Sequence, residues 1–248
     1  MNNLCENLKV IGFDYPGGFA EYMTVPAENI YQLPSIMSFE EGSILDVLVI
    51  GIHAVHLANV TMADRVVVLG AGPIGLALLA AAKRAGAREV FITAKYQSQK
   101  EVVKKMGVEH IFDPNDRNLL NKITKTANND GVDCVLESVG GNGESVELAL
   151  KVVRKGGRII FTGFFEERVS INFYDLLAKG VTIIGSGTAG FWNLTSELEL
   201  AVDMLVKKEF PVKDIITHRF PIEEINKAFQ QKLKLEEKDK TIKVEIFF

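Results

Sequence analysis

The sequence contains few cysteines, which excludes a fold built on disulfide bonds. Its 248 residues include two cysteines, Cys5 and Cys134. Two cysteines in a chain of this length form no disulfide framework. Cys134 lies in an apolar run and is expected to be a small core residue rather than a nucleophile. We therefore expect a cytoplasmic protein stabilised by a hydrophobic core.

The sequence also lacks an excess of basic residues and a long apolar run free of polar groups. Lys and Arg number 28 against 32 Asp and Glu, so the net charge is −4. Nucleic-acid-binding surfaces are normally basic, so no nucleic acid partner is expected. The most apolar long stretch, 44–60, contains Asp46, His53 and His56, which makes it a poor membrane span. The N-terminus has neither region of a secretory signal, so no membrane partner is expected.

What the sequence does contain is a glycine-rich turn between an apolar strand and a helical run. Residues 66–69 read Val-Val-Val-Leu, and residues 70–75 read Gly-Ala-Gly-Pro-Ile-Gly. In this context Gly-x-Gly-x-x-Gly is typical of a dinucleotide-binding βαβ unit, although an ordinary glycine-rich turn is the alternative. The first glycine permits the tight turn, the second lets the backbone approach a pyrophosphate, and the third lets the helix pack closely. The expected binding residues are Gly70, Gly72, Pro73, Ile74 and Gly75.

Strand and helix patterns alternate around and after this turn. Such alternation predicts a parallel sheet covered by helices on both faces. The fold class is therefore α/β, with a doubly wound, six-stranded parallel sheet. The predicted strands are 66–69, 89–93, 110–112, 132–138, 158–162 and 181–185, and the predicted helices are 74–85, 97–106, 118–126, 146–153 and 175–179.

The regions before and after this alternation have different patterns. Strand-like runs occupy 19–25 and 29–33. Ser38 and Glu41 form a capping box that opens a helical stretch to about residue 59, with a break near Asp46. After Gly187 the spacing predicts helices at 196–206 and 221–233, followed by a half-buried strand at 241–247.

Three motifs together resemble the medium-chain dehydrogenase/reductase superfamily, in its zinc-dependent alcohol, polyol and threonine dehydrogenase branch. The first is Gly-Gly-Phe-Ala-Glu-Tyr at 17–22 with Val-Pro-Ala-Glu-Asn-Ile at 25–30. The second is the turn at 70–76, and the third is 216–229, which begins Ile-Thr-His-Arg-Phe-Pro. The resemblance implies a Rossmann domain at 47–187 and the remnant of a β-rich, GroES-like catalytic domain at 1–46, to which 188–248 returns.

The resemblance also implies an activity, but this sequence departs from the family in the motifs that bind zinc. Members of this branch transfer hydride between an alcohol carbon and a nicotinamide, with zinc as a Lewis acid. The expected partners are therefore a small-molecule alcohol, polyol or carbonyl substrate and further copies of the chain. However, the zinc-binding Cys, the Gly-His-Glu motif and most of a four-Cys lobe have no counterpart here. Cys5 matches the last cysteine of that lobe, and one cysteine cannot form a zinc site. We therefore expect a truncated product or a fragment.

Asp46 is the one candidate metal ligand. It occupies the place of the acidic residue that family members carry near the catalytic zinc, and a carboxylate oxygen can bind zinc. The alternative is an acid that bonds a helix end. His53 and His56 lie on the same apolar helix and are expected to be packed histidines, although a place for His53 near the coenzyme is an alternative.

The end of the second Rossmann strand predicts NADP rather than NAD as the cofactor. An NAD site usually has an acidic residue about 20 residues after the glycines. Ala94 stands at that position, followed by Lys95 and Ser98. A 2′-phosphate would meet no carboxylate there, and Lys95 offers an opposing charge while Ser98 offers a hydrogen bond. The alternative is that Lys95 is a solvated loop residue.

Ser138, Gly163 and Ser186 complete the candidate cofactor site, because they follow the fourth, fifth and sixth strands. Ligands of open α/β sheets bind beyond the carboxyl ends of the strands. Two other functions stay open. One is a catalytically silent NADP(H)-binding protein or subunit, which the missing zinc ligands favour. The other is a zinc-free quinone reductase of the same superfamily, which the Cys5 remnant and Asp46 disfavour.

Overall fold

Parallel strands joined by helices form the larger part of the structure. The computed structural model describes residues 4–187, 194–234 and 239–248, without the side chains of 194–196. It contains two compact units, one formed by Met1–Leu45 with Gly190–Phe248 and the other by Asp46–Ala189. The expected domain limit after Gly187 adjoins 188–193, which lie outside the described residues. Within the described residues no helix is long and apolar enough to cross a membrane.

The Asp46–Ala189 unit contains the predicted Rossmann sheet. All neighbouring strands pair in parallel, in the order β3-β2-β1-β4-β5-β6. This order confirms the doubly wound prediction. The strands are β1 (Arg65–Leu69), β2 (Glu89–Thr93), β3 (Ile111–Phe112), β4 (Val132–Glu137), β5 (Val153–Phe161) and β6 (Thr182–Gly185).

Helices connect these strands and precede them. The helical run after Ser38 breaks at Ile44, close to the expected position, and the predicted capping box is present. The helices are α1 (Phe39–Ser43), α2 (Leu45–Ala58), α3 (Pro73–Arg84), α4 (Gln97–Lys105), α5 (Leu119–Thr126), α6 (Glu144–Val152) and α7 (Phe173–Lys179). α2 packs closely on α3 because Gly51 has no side chain; a Cβ there would lie 2.6 Å from the backbone of Ala77.

The central strand β1 is buried on both faces. Alternate strand residues point to opposite faces, and Val66, Val67 and Val68 all have zero exposure. One face forms a core with α5 and α6, including Phe91, Ile123, Val135, Ala149 and Ile159. Cys134 belongs to this buried sheet, and burial raises the pKa of its thiol to about 12. This confirms Cys134 as a core residue, because so high a pKa leaves almost no thiolate at neutral pH.

The unit formed by the two ends of the chain differs from expectation at its start. The predicted strands at 19–25 and 29–33 are wrong, because no named strand occurs there and Ala27–Asn29 is a 3-10 helix. Most side chains in both runs are exposed. A strand needs a neighbouring strand to bond its backbone groups, and among the described residues neither run pairs with one.

The C-terminal part of the same unit contains a parallel pair that was predicted only in part. The elements are α8 (Leu194–Val206), α9 (Val212–Ile215), β7 (Ile216–Pro221), a 3-10 turn (Ile222–Glu224), α10 (Ile225–Leu233) and β8 (Lys243–Phe247). β8 confirms the alternating pattern, whereas β7 was not predicted. The helix expected from 221 begins at Ile225, because Pro221 is still paired with Phe247 in the sheet.

Ion pairs join the first segment of this unit to its last strands. Arg219 on β7 contacts Glu245 Oε2 at 2.7 Å and Glu40 Oε1 at 3.0 Å. The Ser43 hydroxyl donates to the other oxygen of Glu245 at 3.0 Å, and Lys208 pairs with Glu41. These contacts explain how residues some 200 positions apart form one unit.

Asp64, which directly precedes β1, forms an ion pair with Arg158 on β5. Arg158 donates to both oxygens of Asp64, at 3.2 and 2.7 Å, and also to the carbonyl oxygen of Ala58. Asp64 further accepts from the amide of Thr61 at 2.6 Å. Burial by itself raises the pKa of Asp64, but the bonds from Arg158 and Thr61 outweigh it and hold that pKa below its ordinary value of 3.8.

Replacement of Asp64 by Asn should lower the free energy of unfolding by about 3 kcal/mol at pH 7, because Arg158 loses its buried partner. Since the folded pKa of Asp64 lies below the unfolded value, its contribution is present above about pH 3.8 and is lost as the pH falls through the folded pKa. Urea unfolding at pH 7 and at lower pH should therefore show a shrinking difference from wild type. Asp116→Asn, which breaks an exposed pair with Lys122, is the control and should leave the midpoint unchanged. A midpoint for Asp64→Asn equal to that of the control would contradict the assignment.

Candidate functional site

The glycine-rich turn joins β1 to α3 in the geometry that its sequence predicts. Gly70 has φ +99°, a conformation that residues with a side chain rarely adopt. Gly72 is the N-cap of α3 and Pro73 is its first residue, where proline is favoured because it needs no amide partner. The first intrahelical bond runs from the amide of Leu76 to the carbonyl of Gly72, at 2.9 Å. Gly72 has no side chain to cap this helix end, and among the described residues its first amides are left available to a ligand.

The other two glycines of the motif differ in what surrounds them. A Cβ on Gly75 would lie 2.0 Å from the carbonyl oxygen of Gly70, so any side chain there would force the turn apart. A Cβ on Gly72 would have no atom of the described residues within 4 Å. Gly75 is therefore required for packing, whereas the space beside Gly72 is open. An uncapped helix N-terminus with open space beside it is suited to bind an anion.

Two neighbouring strand ends hold this turn in place. The amide of Gly70 donates to Thr93 Oγ1 at the end of β2, at 2.8 Å. Ser138, just after β4, donates to the carbonyl of Leu69 from its amide at 3.0 Å and from its hydroxyl at 2.9 Å. The structure thus brings Ser138 together with Gly70 and Gly75. The hydroxyl proton of Ser138 is already used within the protein.

The end of β2 presents an exposed cation beside a buried hydroxyl. Ala94 is buried and Lys95 is exposed. The side chain of Gln99 accepts from the amides of Lys95 and Tyr96, both at 3.2 Å, which fixes the chain as it enters α4. In the part of the chain that the structure describes, the buried Ser98 Oγ has no hydrogen-bond partner, and Lys95 Nζ lies over the Tyr96 ring, 5.7 Å from its centroid.

The ends of β5 and β6 contribute the remaining predicted residues. The amide of Ser186 donates to the carbonyl of Phe161 at 2.8 Å, which places Ser186 beside the end of β5. Its hydroxyl is buried and has no partner among the described residues. Gly163 lies against the loop after β4, since a Cβ on it would be 2.4 Å from the amide of Gly140. Two buried hydroxyls, Ser98 and Ser186, are thus available to a ligand along this edge of the sheet.

The residue at the end of β4, Glu137, is not among the residues predicted from the sequence. Glu137 has zero exposure, and its Oε1 accepts from the amides of Val139 and Gly140 and from the hydroxyl of Ser145. The signal for it is a carboxylate that directly follows the apolar run Cys134-Val135-Leu136. Thr93 was missed in the same way, as a hydroxyl residue closing β2.

Asp46 and the histidines are not brought together as a metal site. Asp46 lies in the first turn of α2 with its side chain exposed, whereas His53 is buried in that helix. Across 4–187, 194–234 and 239–248, no three His, Cys, Asp or Glu side chains are arranged to hold a metal ion. These described residues therefore do not fit a tetrahedral zinc site, and the metal role of Asp46 stays a prediction.

Known proteins are similar to this chain in sequence. L-threonine 3-dehydrogenase from Bacillus licheniformis is 33% identical over 232 residues, covering 92% of this chain and 65% of the relative. The counterpart from Pyrococcus furiosus is 30% identical, covering 88% of this chain and 62% of its own length. The chain therefore spans just under two thirds of these relatives.

Solved structures of other proteins are similar to this chain in fold. Galactitol-1-phosphate dehydrogenase from Escherichia coli matches with a TM-score of 0.84 at 26% identity, covering 93% of this chain and 68% of that one. A zinc-binding dehydrogenase from Sinorhizobium meliloti, solved with NADP, matches with a TM-score of 0.82 at 26% identity, covering 91% and 66%. The sequence pattern of the family described as zinc-binding dehydrogenase matches residues 73–207, more than half of the chain. With its Rossmann sheet and glycine turn, this chain belongs to the zinc-binding dehydrogenase family.

Proposed function

We propose that this chain binds NADP(H) and forms the coenzyme-binding part of an alcohol, polyol or threonine dehydrogenase. The observation that carries the proposal is the uncapped N-terminus of α3 with open space beside Gly72. The nicotinamide, when bound, supplies the hydride chemistry. The substrate class is a small-molecule alcohol, polyol or carbonyl compound, as the names of the relatives suggest.

In this proposal, residues at different strand ends bind different parts of the coenzyme. The backbone from Gly70 to Gly75 receives the pyrophosphate, through amides that α3 leaves without intrahelical partners. Ser138, Gly163 and Ser186, at the ends of β4, β5 and β6, surround the remainder of the coenzyme. Support for this division comes from the contact of Ser138 with the glycine turn and from the hydrogen bond between Ser186 and the end of β5.

NADP is proposed over NAD because of the groups at the end of β2. Ala94 gives no carboxylate that could accept from a ribose 2′-hydroxyl, which is the usual NAD contact. Lys95 and the buried hydroxyl of Ser98 offer a charge and a hydrogen bond to a 2′-phosphate. The next lysine, Lys100, is held by Asp113 at 2.9 Å, so Lys95 is the cation that we assign to this role.

One observation favours the second candidate, a nucleotide-binding protein without catalysis of its own. The described residues do not assemble the donor set of a zinc site, so we assign no zinc-dependent step to them. The two functions share the coenzyme site and differ in turnover. Hydride transfer from NADPH to a carbonyl substrate, followed at 340 nm with zinc added, separates them.

A homo-oligomer located in the cytoplasm is also proposed. Support for association comes from exposed apolar side chains on α7, where Phe173 and Leu177 are 66% and 79% exposed. Residues four apart lie on the same helix face, and exposed apolar patches often mark interfaces. Free thiols at Cys5 and Cys134 are consistent with a reducing compartment. A monodisperse monomer in light scattering would contradict the oligomer.

Substitution of Gly72 by Ala should abolish most coenzyme binding without loss of stability. The new methyl group meets no protein atom but occupies the space through which a pyrophosphate approaches the backbone. We expect the Kd for NADPH, measured by fluorescence titration, to rise at least about tenfold while the urea midpoint stays at the wild-type value. Gly75→Ala is the contrast and should lose both binding and stability. Unchanged NADPH affinity in Gly72→Ala would refute the pyrophosphate site.

Substitution of Lys95 by Glu should reverse the coenzyme preference. A carboxylate there repels a 2′-phosphate and can accept from a 2′-hydroxyl. The ratio of the NADH Kd to the NADPH Kd should therefore fall by about tenfold or more, given typical effects of close charge pairs. Lys104→Glu makes the same charge change at an exposed position farther along α4 and should leave the ratio near that of wild type. Equal ratios in the two variants would show that net charge, not position, is responsible.

A further inference from the structure

A buried glutamate at the end of β4 bonds to two loops, one through its side chain and one through its backbone. Glu137 ends β4, the central strand that pairs with β1 through Leu69 and with β5 through Phe161. It has zero exposure, although it is an ionisable residue at the end of a strand. Fully buried Glu side chains are rare unless they are paired, so its contacts indicate what it does there.

The side chain of Glu137 holds the loop that follows its own strand. Its Oε1 accepts from the amide of Val139 at 2.7 Å, from the amide of Gly140 at 2.8 Å and from the hydroxyl of Ser145 at 2.7 Å. The first two bonds turn consecutive amides inward, and the third secures the first turn of α6. The N-cap of α6 is Gly143, which has no side chain, and Asn142 Oδ1 accepts from the first amide of the helix, that of Glu144, at 3.3 Å.

The backbone of Glu137 holds the loop after β5. Its carbonyl oxygen accepts from the amides of Thr162 and Gly163, at 2.9 and 3.3 Å, and from the hydroxyl of Thr162 at 2.7 Å. The amide of Gly141 in turn donates to the carbonyl of Phe164 at 2.8 Å. One residue therefore fixes two loops that also bond to each other.

The loop fixed by Glu137 touches the glycine turn directly. A Cβ on Gly70 would lie 3.0 Å from both Ser138 Oγ and Val139 Cγ2. Val139 itself is 57% exposed, so it presents an apolar side chain to solvent beside the turn. A shift of this loop would therefore change the surface that a dinucleotide meets.

The second oxygen of Glu137 makes no hydrogen bond to the described residues. Oε2 is fully buried, and a Cβ on Gly163 would lie 2.5 Å from it. The structure thus uses one acceptor atom of this side chain, and it leaves room for the other only because residue 163 is a glycine. An amide oxygen in the place of Oε1 can accept the same three bonds.

We propose that Glu137 is a positioning residue for the coenzyme: its buried side chain fixes the loop after β4, which bonds to the loop after β5, and thereby sets the affinity for NADP(H) without contacting it. The inference rests on the proposed function, because it assumes that the coenzyme binds at this edge. It assigns the preorganisation of the site to one acceptor atom. Preorganised loops raise affinity because they are ordered before the ligand arrives.

The test compares NADPH binding in the full chain for Glu137→Ala, Glu137→Gln and Asp64→Asn. We expect Glu137→Ala to raise the Kd about tenfold or more, and Glu137→Gln to restore it to within about threefold of wild type. Asp64→Asn, which lacks a contact with either loop in the described structure, serves as the destabilised control and should bind like wild type. The proposal would be overturned if, across all three variants, the rise in the NADPH Kd followed the fall in the urea midpoint.

A second variant covers the case in which Glu137→Ala does not fold. Gly163→Ala keeps the carboxylate but places a methyl group against Oε2 and the amide of Gly140. It should weaken NADPH binding and, in the coenzyme-free chain, speed hydrogen exchange at the Val139 and Gly140 amides. The exchange rate is the deciding readout, because direct contact of residue 163 with the coenzyme would not change it. An NADPH affinity of Gly163→Ala equal to that of wild type would refute the inference alone. So would NADPH binding by Glu137→Gln as weak as that by Glu137→Ala. Failure of wild type to bind either NADPH or NADH would refute the proposed function and the inference with it.

Discussion

Parallel pairing of the six strands is the constraint on which the rest of the structure depends. In a parallel sheet every connection must cross back to the edge at which strands begin, so the carboxyl ends of all strands lie at the opposite edge. The apolar strands are buried on both faces, so functional groups concentrate in the few residues just after each strand. Gly70, Thr93, Glu137 and Ser186 all stand at such ends. The sheet thereby converts residues from distant parts of the sequence into one continuous surface.

The parts of the fold that could be predicted from the sequence are those with a local cause. The glycine triplet, the β-branched run before it and the capping box at Ser38 each act within a few residues. The runs at 19–25 and 29–33 have strand-like composition, but strand formation depends on a partner that composition does not reveal. β7 was missed because His218 and Arg219 interrupt the apolar alternation, and its stability comes from pairing with β8.

The candidate site shows the same division between local and distant causes. The residues of the glycine turn could be named from their spacing. The role of Glu137 could not, because it depends on amides and a hydroxyl that only the folded loops bring to one oxygen. The Asp64–Arg158 pair likewise joins residues 94 positions apart, and nothing in either local sequence marks the other. Contacts of this kind follow from topology and not from motif.

The two thiols differ in a way that makes them reporters of the separate units. Cys5 is exposed in the unit formed by the chain ends, whereas Cys134 has zero exposure inside the Rossmann sheet. A thiol reagent reaches a fully buried cysteine only when the surrounding strands open. Cys5 should therefore react at once and serve as an internal reference, while the slow labelling of Cys134 measures how often the sheet opens, in native buffer and without any engineered probe.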